Sequence, residues 1–309
     1  MRRRSWWRFG DDETLCRHAA AILVDDPRAA ADPDDLLDEL VELQESLWAS
    51  WGDFEDVAWL GGSLDPVALP VLAAWLLRRE SDVEHLAAEV DRLRPLLRAE
   101  RLRADWLTVE LLRSTFGSPV PVAAIRRTGR IVGALRGRGW GVTGLDFAPL
   151  AALVVGRDVP VSEMDAAVSR TVHALRPNTW FRHHHLRWSA SVLYYGGLSG
   201  QEAAQRYLAV EDEFSGHGLQ WHRGTRDDVA MLALLASPPA TVCALHRSFY
   251  DRLAAITAWH ERDAMIQIAG GLTFALLGGE AQVLADVKCV LDYRRLVAQR
   301  RAGIFGTLG

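Results

Sequence analysis

Lysine is almost absent from this chain of 309 residues: Lys288 is the only one, although Lys and Arg together number 35. So strong a preference for Arg most simply reflects a GC-rich bacterial genome and does not by itself indicate phosphate recognition. The formal net charge of −5 disfavours a general nucleic-acid-binding protein.

Cysteines and long apolar runs are also scarce. Cys16, Cys243 and Cys289 lie far apart without a C-x-x-C spacing, which predicts reduced, buried thiols in a cytoplasmic protein. No uninterrupted run of 18 apolar residues occurs, so no transmembrane helix is predicted. Arg2, Arg3 and Arg4 are not followed by an apolar segment, so we expect no secretory signal and no membrane partner.

Motifs for known cofactors and nucleophiles are missing as well. The chain contains no Walker A motif, nucleophile elbow or kinase signature. Gly139–Gly144 satisfies G-x-G-x-x-G, but the segment follows a predicted helix and not a strand. His260-Glu261 lacks the second histidine of a metalloprotease helix, and no Cys/His cluster suits zinc. We therefore predict no metal site and no cofactor.

The alternation typical of strands is lacking too. Apolar residues recur at intervals of three and four, as in Leu36, Leu40, Leu43 and Leu47, which indicates helices. Hydrophobic residues make up 49% of the chain, enough for a continuous core. The sequence therefore predicts an all-α fold.

An internal repeat organises these helices. Five apolar segments recur every 41 residues: Asp105-Trp106-Leu107, Asp146-Phe147-Ala148, Arg187-Trp188-Ser189, Asp228-Val229-Ala230 and Ala269-Gly270-Gly271. A period of this length, built from paired helices, is typical of stacked helical hairpins. We predict an α/α toroid or a curled α-solenoid of about seven helix pairs, with one domain over 1–301 and a frayed tail over 302–309.

The repeat also predicts buried positions and helix boundaries. One column of the repeat is apolar in all five copies and is expected to face the core: Leu112, Leu153, Tyr194, Leu235 and Leu276. Short breakers separate the paired helices at 117–119, 159–160, 196–197 and 237–239. Asp32-Pro33 is expected to cap a helix that runs through Leu47. Asp105, Asp146 and Asp228 are interpreted as caps or first-turn charges.

The segment 225–236, Thr-Arg-Asp-Asp-Val-Ala-Met-Leu-Ala-Leu-Leu-Ala, resembles a recurring phrase of an uncharacterised bacterial family of all-helical repeat proteins. Thr143 and the residues from Asp146 to Leu153 are similar to the same phrase, displaced by one residue. The resemblance extends loosely over 100–280. It implies a helical fold and no particular activity.

Four tryptophans lie in the segments that connect one helix pair to the next. They are Trp140, Trp180, Trp221 and Trp259, spaced 40, 41 and 38 residues apart. Stacking of the pairs would align them along one rim. They are either packing plugs between units or walls of a ligand site.

Polar residues accompany the last three tryptophans. Arg182 and Arg223 are candidates for holding an anionic group, and the four tryptophans for apolar or cation-stabilising walls. Candidate acid/base residues are His183, His222, His260 and Glu261. These residues and the following helix N-termini suit a partly apolar small molecule that carries a carboxylate or phosphate.

Three functions remain open. The first is a metal-independent acid/base enzyme of small-molecule metabolism: a cyclase, lyase or hydrolase. The second is a scaffold similar to HEAT or TPR proteins that binds a peptide or protein, and the third is a small-molecule binder without turnover. A homodimer is compatible with each function.

Overall fold

A computed structural model of the chain describes residues 13–49, 69–102, 105–136, 147–175, 183–217, 226–256, 262–279 and 283–293. Every regular element in these ranges is a helix, which confirms the all-α prediction. No helix within them is both long and apolar enough to cross a membrane. The helices are α1 (Glu13–Leu23), α2 (Pro27–Ala31), α3 (Pro33–Ala49), α4 (Leu69–Arg78), α5 (Val83–Ala99), α6 (Trp106–Phe116), α7 (Val122–Arg136), α8 (Phe147–Val154), α9 (Val161–Leu175), α10 (His183–Tyr195), α11 (Gly200–Gly216), α12 (Arg226–Leu232), α13 (Pro239–Ile256), α14 (Arg262–Leu277) and α15 (283–293).

Several helix boundaries follow from local capping chemistry. Asp32 precedes α3, which begins at Pro33, and its carboxylate accepts a hydrogen bond from the backbone N–H of Asp35 at 3.1 Å. Asp105 caps α6 by accepting from the N–H of Thr108 at 2.7 Å. Gly117 ends α6 with a φ of 77°, a conformation that favours glycine. Both aspartates therefore have the capping role predicted from the sequence.

The helices form two rows of neighbours. One row runs α6, α8, α10, α12, α14, and the other runs α7, α9, α11, α13. Helix α1 packs against both α4 and α14, so it lies between an early and a late helix of the chain.

The two rows differ in burial. In the first row and in α4, most side chains are buried on all sides of the helix, as in Trp106–Leu112 and Phe147–Ala152. Helices of the second row are amphipathic: α9 buries Met164, Ala167, Val168, Thr171 and Leu175, at intervals of one, three or four residues. Residues 284–293 of α15 are buried throughout. The core is therefore continuous through the first row and α15.

The spacing of the helices departs from the 41-residue register in places. Five helices, α5, α7, α9, α11 and α13, begin at residues 83, 122, 161, 200 and 239, each 39 residues after the previous one. Arg187 and Ala269, expected to open helices, lie instead inside α10 and α14. Leu112 and Leu235 are buried as predicted, the residues of this column at 153 and 194 are half-buried, and Leu276, next to the end of α14, is 64% exposed.

Hydrogen bonds join three second-row helices, α7, α9 and α11, to the hairpin turn of the next pair. The Arg127 guanidinium of α7 donates to the carbonyls of Val155, Arg157 and Val159, at 3.0, 2.7 and 2.7 Å. The Arg206 guanidinium of α11 likewise donates to the carbonyls of Ala233, Leu235 and Ser237. These arginines therefore supply donors to the backbone carbonyls of the turns.

Different side chains make the corresponding bond in other pairs. In α5, Glu89 accepts from the N–H of Val120 and Arg92 donates to its carbonyl, at 2.7 and 2.8 Å. In α9, the Thr171 hydroxyl oxygen accepts from the N–H of Gly200 at 2.7 Å. In each of these pairs, a side chain therefore bonds to the next hairpin turn, although the residue type that makes the bond differs.

Candidate functional site around Lys288

The site residues predicted from the sequence lie almost entirely outside the described residues. These are Trp140, Trp180, Arg182, Trp221, His222, Arg223, Trp259, His260 and Glu261. His183 is the first residue of α10, and its side chain also lies outside the description. The structure describes the ends of the helices on either side of these segments.

Hairpin turns of successive pairs lie side by side at one end of the helix rows. The Arg157 guanidinium, in the turn after α8, donates to the carbonyls of Tyr194 and Tyr195 near the end of α10. A Cβ added to Gly196, directly after α10, would meet the side chain of Leu234, directly after α12. Neighbouring first-row helices therefore run in the same direction, and we name this end the turn end.

Opposite the turn end lie the N-termini of α8, α10, α12 and α14, which we name the loop end. They begin at Phe147, His183, Arg226 and Arg262, directly after the segments 137–146, 176–182, 218–225 and 257–261. Each of these segments carries one of the four tryptophans in question.

A cluster of buried charges lies in α15, which the sequence did not single out. Lys288 is 3% exposed, and its Nζ atom lies 2.9 Å from Oδ1 of Asp228 in α12. The same ammonium forms an ion pair with Asp292, one helical turn later. Both carboxylates are as buried as the lysine. Since buried charges are costly unless they are paired, Lys288 holds α12 and α15 together.

A second ion pair joins α15 to the other side of the molecule. Asp286, also buried, lies 3.1 Å from Nη1 of Arg78 at the end of α4. The Arg78 guanidinium also contacts Asp25 at 2.8 Å and donates to the carbonyl of Ile22 at 2.9 Å. This arginine therefore connects α4, α15 and the end of α1.

His18 of α1 lies close to this cluster. Its ring is fully buried and makes an edge contact with Tyr293, with 6.4 Å between ring centroids. Burial, assisted by the positive charge of Lys288, lowers the pKa of His18 to about 3. Neither ring nitrogen has a hydrogen-bond partner among the described residues. The imidazole is therefore neutral at physiological pH.

A small cavity with room for about one water molecule adjoins Lys288. Its lining is Asp228, Met231, Leu232, Gln267, Gly270, Gly271, Phe274, Ala285, Lys288 and Cys289. Gly271 allows the close approach of α14 to α15, since a Cβ there would lie 3.2 Å from Sγ of Cys289. Sites for drug-sized molecules occupy about 300–1,000 Å³, so this cavity suits only a small group.

The chemistry of the cluster follows from its electrostatics. The Lys288 ammonium is engaged by the carboxylates of Asp228 and Asp292. Burial and the nearby carboxylates raise the pKa of the Cys289 thiol, which therefore stays protonated. Across the described ranges, no group of three or more His, Cys, Asp or Glu residues could hold a metal ion. The cluster thus suits anchoring and hydrogen bonding.

Sequence reasoning passed over Lys288 because one lysine among many arginines was attributed to composition. The better signal is its setting: Asp286, Lys288 and Asp292 interrupt the otherwise apolar stretch 283–293. Three charges in a helix with so few polar residues indicate buried pairing.

No family model matches the chain, and none of the curated proteins or solved structures compared with it is significantly similar.

Proposed function

We propose that the chain is a curled stack of helical hairpins whose two ends meet, as an α/α toroid with α15 at its centre. The contacts of α1 with α4 and α14 support closure. The complete burial of 284–293 supports a central position for α15.

On this architecture, the chain is a small-molecule enzyme whose substrate binds at the loop end. The observation that carries the proposal is the placement of the N-termini of α8, α10, α12 and α14 at one end. The segments with the tryptophans, arginines and histidines lead directly into these helices. Helix N-termini favour anions, so a carboxylate or phosphate is the expected anionic group of the substrate.

Particular residues would have particular roles in such a site. Arg182 and Arg223 would pair with the anionic group, and Trp180, Trp221 and Trp259 would form the apolar walls. His183 and His222 would transfer protons as acid and base, with His260 and Glu261 as further candidates.

A scaffold that binds a peptide along a concave face is less well supported. Such a face requires exposed side chains on the inner helices, whereas α4, α6 and α8 are buried on nearly all sides. In a toroid filled by α15, the loop end is the more accessible place for a ligand.

The test begins with binding. The chain is titrated with a panel of short alkyl and aryl carboxylates and phosphates while tryptophan fluorescence is recorded. We expect at least one member to quench the fluorescence, with a loss of at least tenfold in affinity in Trp221→Phe and Trp259→Phe. Trp75→Phe is the matched control, because Trp75 is fully buried in α4.

Turnover is tested next by mass spectrometry of the bound compounds. We expect His183→Ala or His222→Ala to lower the rate by about 10²–10⁴, the usual contribution of acid/base catalysis. His85→Ala, an exposed histidine near the start of α5, is the control. If the chain binds a compound without converting it, the protein is a small-molecule binder and not an enzyme. If neither tryptophan variant changes the affinity, the proposed binding site at the loop end is wrong.

A further inference from the structure

The cavity beside Lys288 reaches towards the loop end at two residues, and its lining also includes the last residue of α12. Asp228 is in the first turn of α12, directly after the segment that carries Trp221. Gln267 is in the second turn of α14, after the segment that carries Trp259. A ligand held at the loop end could therefore extend one group into this cavity.

An amide oxygen in the cavity lacks a hydrogen-bond partner. Gln267 is 5% exposed, and no donor within the described part of the chain reaches its Oε1 atom. Leaving a buried acceptor unsatisfied is unfavourable, so such atoms usually meet water or a ligand. Gln267 is one of the residues that line the cavity, so a donor bound there would lie close to its side chain.

The other walls restrict what the donor can be. Asp228 and Lys288 supply charge on one side, and Met231, Leu232 and Phe274 supply apolar surface on the other. The free space admits a group about the size of a water molecule. A single N–H or O–H head group is therefore what fits this space.

Gly270 keeps the space beside Asp228 open. A Cβ at this position would lie 3.6 Å from Oδ1 of Asp228, an ordinary contact distance. A methyl group there would therefore fit the fold while occupying part of the cavity.

We propose that this cavity is a subsite for the N–H or O–H head group of a small ligand, with the amide oxygen of Gln267 as its acceptor. The identity of the whole ligand rests on the proposed function: the head enters the cavity, and the anionic group remains at the loop end. The implied ligand class is a small amino- or hydroxy-carboxylate, or the corresponding phosphate. The head-group subsite can be tested without that ligand.

The test uses two pairs of small probes and the full chain. Methylammonium chloride is compared with tetramethylammonium chloride, which has the same charge and no N–H donor. Methanol is compared with tert-butanol, which has a hydroxyl but is too large. Thermal unfolding is measured at equal ionic strength. We expect the donor probe of at least one pair to raise the Tm by about 2 °C relative to its control.

Variants then locate the effect. Gln267→Leu and Gly270→Ala should abolish the difference, whereas Gln267→Glu should keep or enlarge the methylammonium effect because it retains the acceptor and adds negative charge. Gly133→Ala is the matched control: Gly133 is also inside a helix, and a Cβ there meets nothing within 4 Å.

The outcomes separate this inference from the proposed function. The subsite proposal is wrong if neither pair of probes shows a difference in Tm, or if a difference persists in Gln267→Leu. A difference that survives in Trp221→Phe and Trp259→Phe supports it even if the carboxylate panel fails to bind. If only methylammonium raises the Tm relative to its control, the head group of the ligand is a protonated amine. If only methanol does so, the head group is a hydroxyl.

Discussion

The Nζ atom of Lys288 lies 2.9 Å from Oδ1 of Asp228, and both side chains are almost completely buried. The pair joins two helices that are 60 residues apart in the sequence and connects α15 to the body of the protein. Since Asp292 shares the same ammonium, one cation is paired with two buried carboxylates. The only lysine of the chain therefore has a structural role that composition alone does not reveal.

Replacement of Lys288 by Met should be strongly destabilising. The change leaves the buried carboxylates of Asp228 and Asp292 without their ammonium partner. Breaking a buried pair in this way typically costs about 3–5 kcal/mol of unfolding free energy. Urea denaturation at pH 7.5, followed by circular dichroism, measures the change.

A second substitution tests whether uncompensated charge is the cause. Lys288→Met combined with Asp228→Asn should recover part of the loss, because one of the two carboxylates that lose the ammonium is removed. The charge explanation fails if the double variant is less stable than Lys288→Met alone.

His18 and His246 should make the native state sensitive to mild acid. Burial lowers the pKa of His18 to about 3 and that of His246 to about 4, whereas both have a pKa near 6.5 in the unfolded chain. Above pH 6.5 both states are neutral and the full stability is present. As the pH falls below 6.5, the unfolded chain binds protons that the native state excludes, and each histidine costs about 1.4 kcal/mol per pH unit.

His18→Leu should remove one of these two contributions. Urea midpoints measured at pH 7.5 and pH 5 should differ less in this variant than in the native chain, and least in the double variant with His246→Leu. At pH 7.5 the single variant should be nearly as stable as the native chain, since neither ring nitrogen of His18 has a hydrogen-bond partner within the described residues. An unchanged difference between the two pH values would contradict the low pKa of His18.

The fold was predictable where local chemistry determines it. Apolar spacing predicted helices, and Asp32 and Asp105 were recognised as caps because their side chains act on backbone only three residues away. The register of the repeat was less predictable, because connecting segments of unequal length shift the helices of one row relative to the other. Leu276 shows the consequence: it is apolar in the expected column yet exposed near the end of α14.

The buried cluster could not be derived from spacing. Lys288, Asp228 and His18 are brought together by the packing of α1, α12 and α15, and no periodicity relates their positions. The charges in the apolar stretch 283–293 indicate buried pairing, but the sequence does not show which residues of other helices are their partners. The predicted tryptophan and histidine site of the loop end stays a prediction.

Arg127 should contribute more to stability than its surface location suggests. Its guanidinium donates to three carbonyls of the next hairpin turn, and charge-assisted hydrogen bonds of this kind are worth about 1.5–3 kcal/mol in unfolding free energy. Arg127→Met should therefore destabilise the chain by about that amount. Arg126→Met is the control, since Arg126 is adjacent and exposed and its loss should change stability by about 0.5 kcal/mol or less.

Hydrogen exchange distinguishes a local from a general effect of Arg127. The backbone amides of 157–159 and 161 should lose protection in Arg127→Met, because the turn loses the guanidinium donors to its carbonyls. Equal loss of protection in every helix would show that the arginine stabilises the whole fold and not this turn.

Thiol labelling should report directly on the anchoring of α15. Cys16 is exposed, contrary to the prediction of a buried thiol. Cys243 and Cys289 are buried as predicted, and burial raises the pKa of both thiols, that of Cys243 to about 12. An aromatic disulfide reagent at pH 8 should therefore react quickly with one thiol, and Cys16→Ser should remove this fast phase.

In the Cys16→Ser background, Lys288→Met should accelerate the labelling of Cys289 more than that of Cys243, because Cys289 adjoins Lys288 in α15 and Cys243 lies in α13. Equal acceleration of both thiols, measured by peptide mass spectrometry, would mean that the ion pairs stabilise the whole fold and give α15 no anchoring of its own.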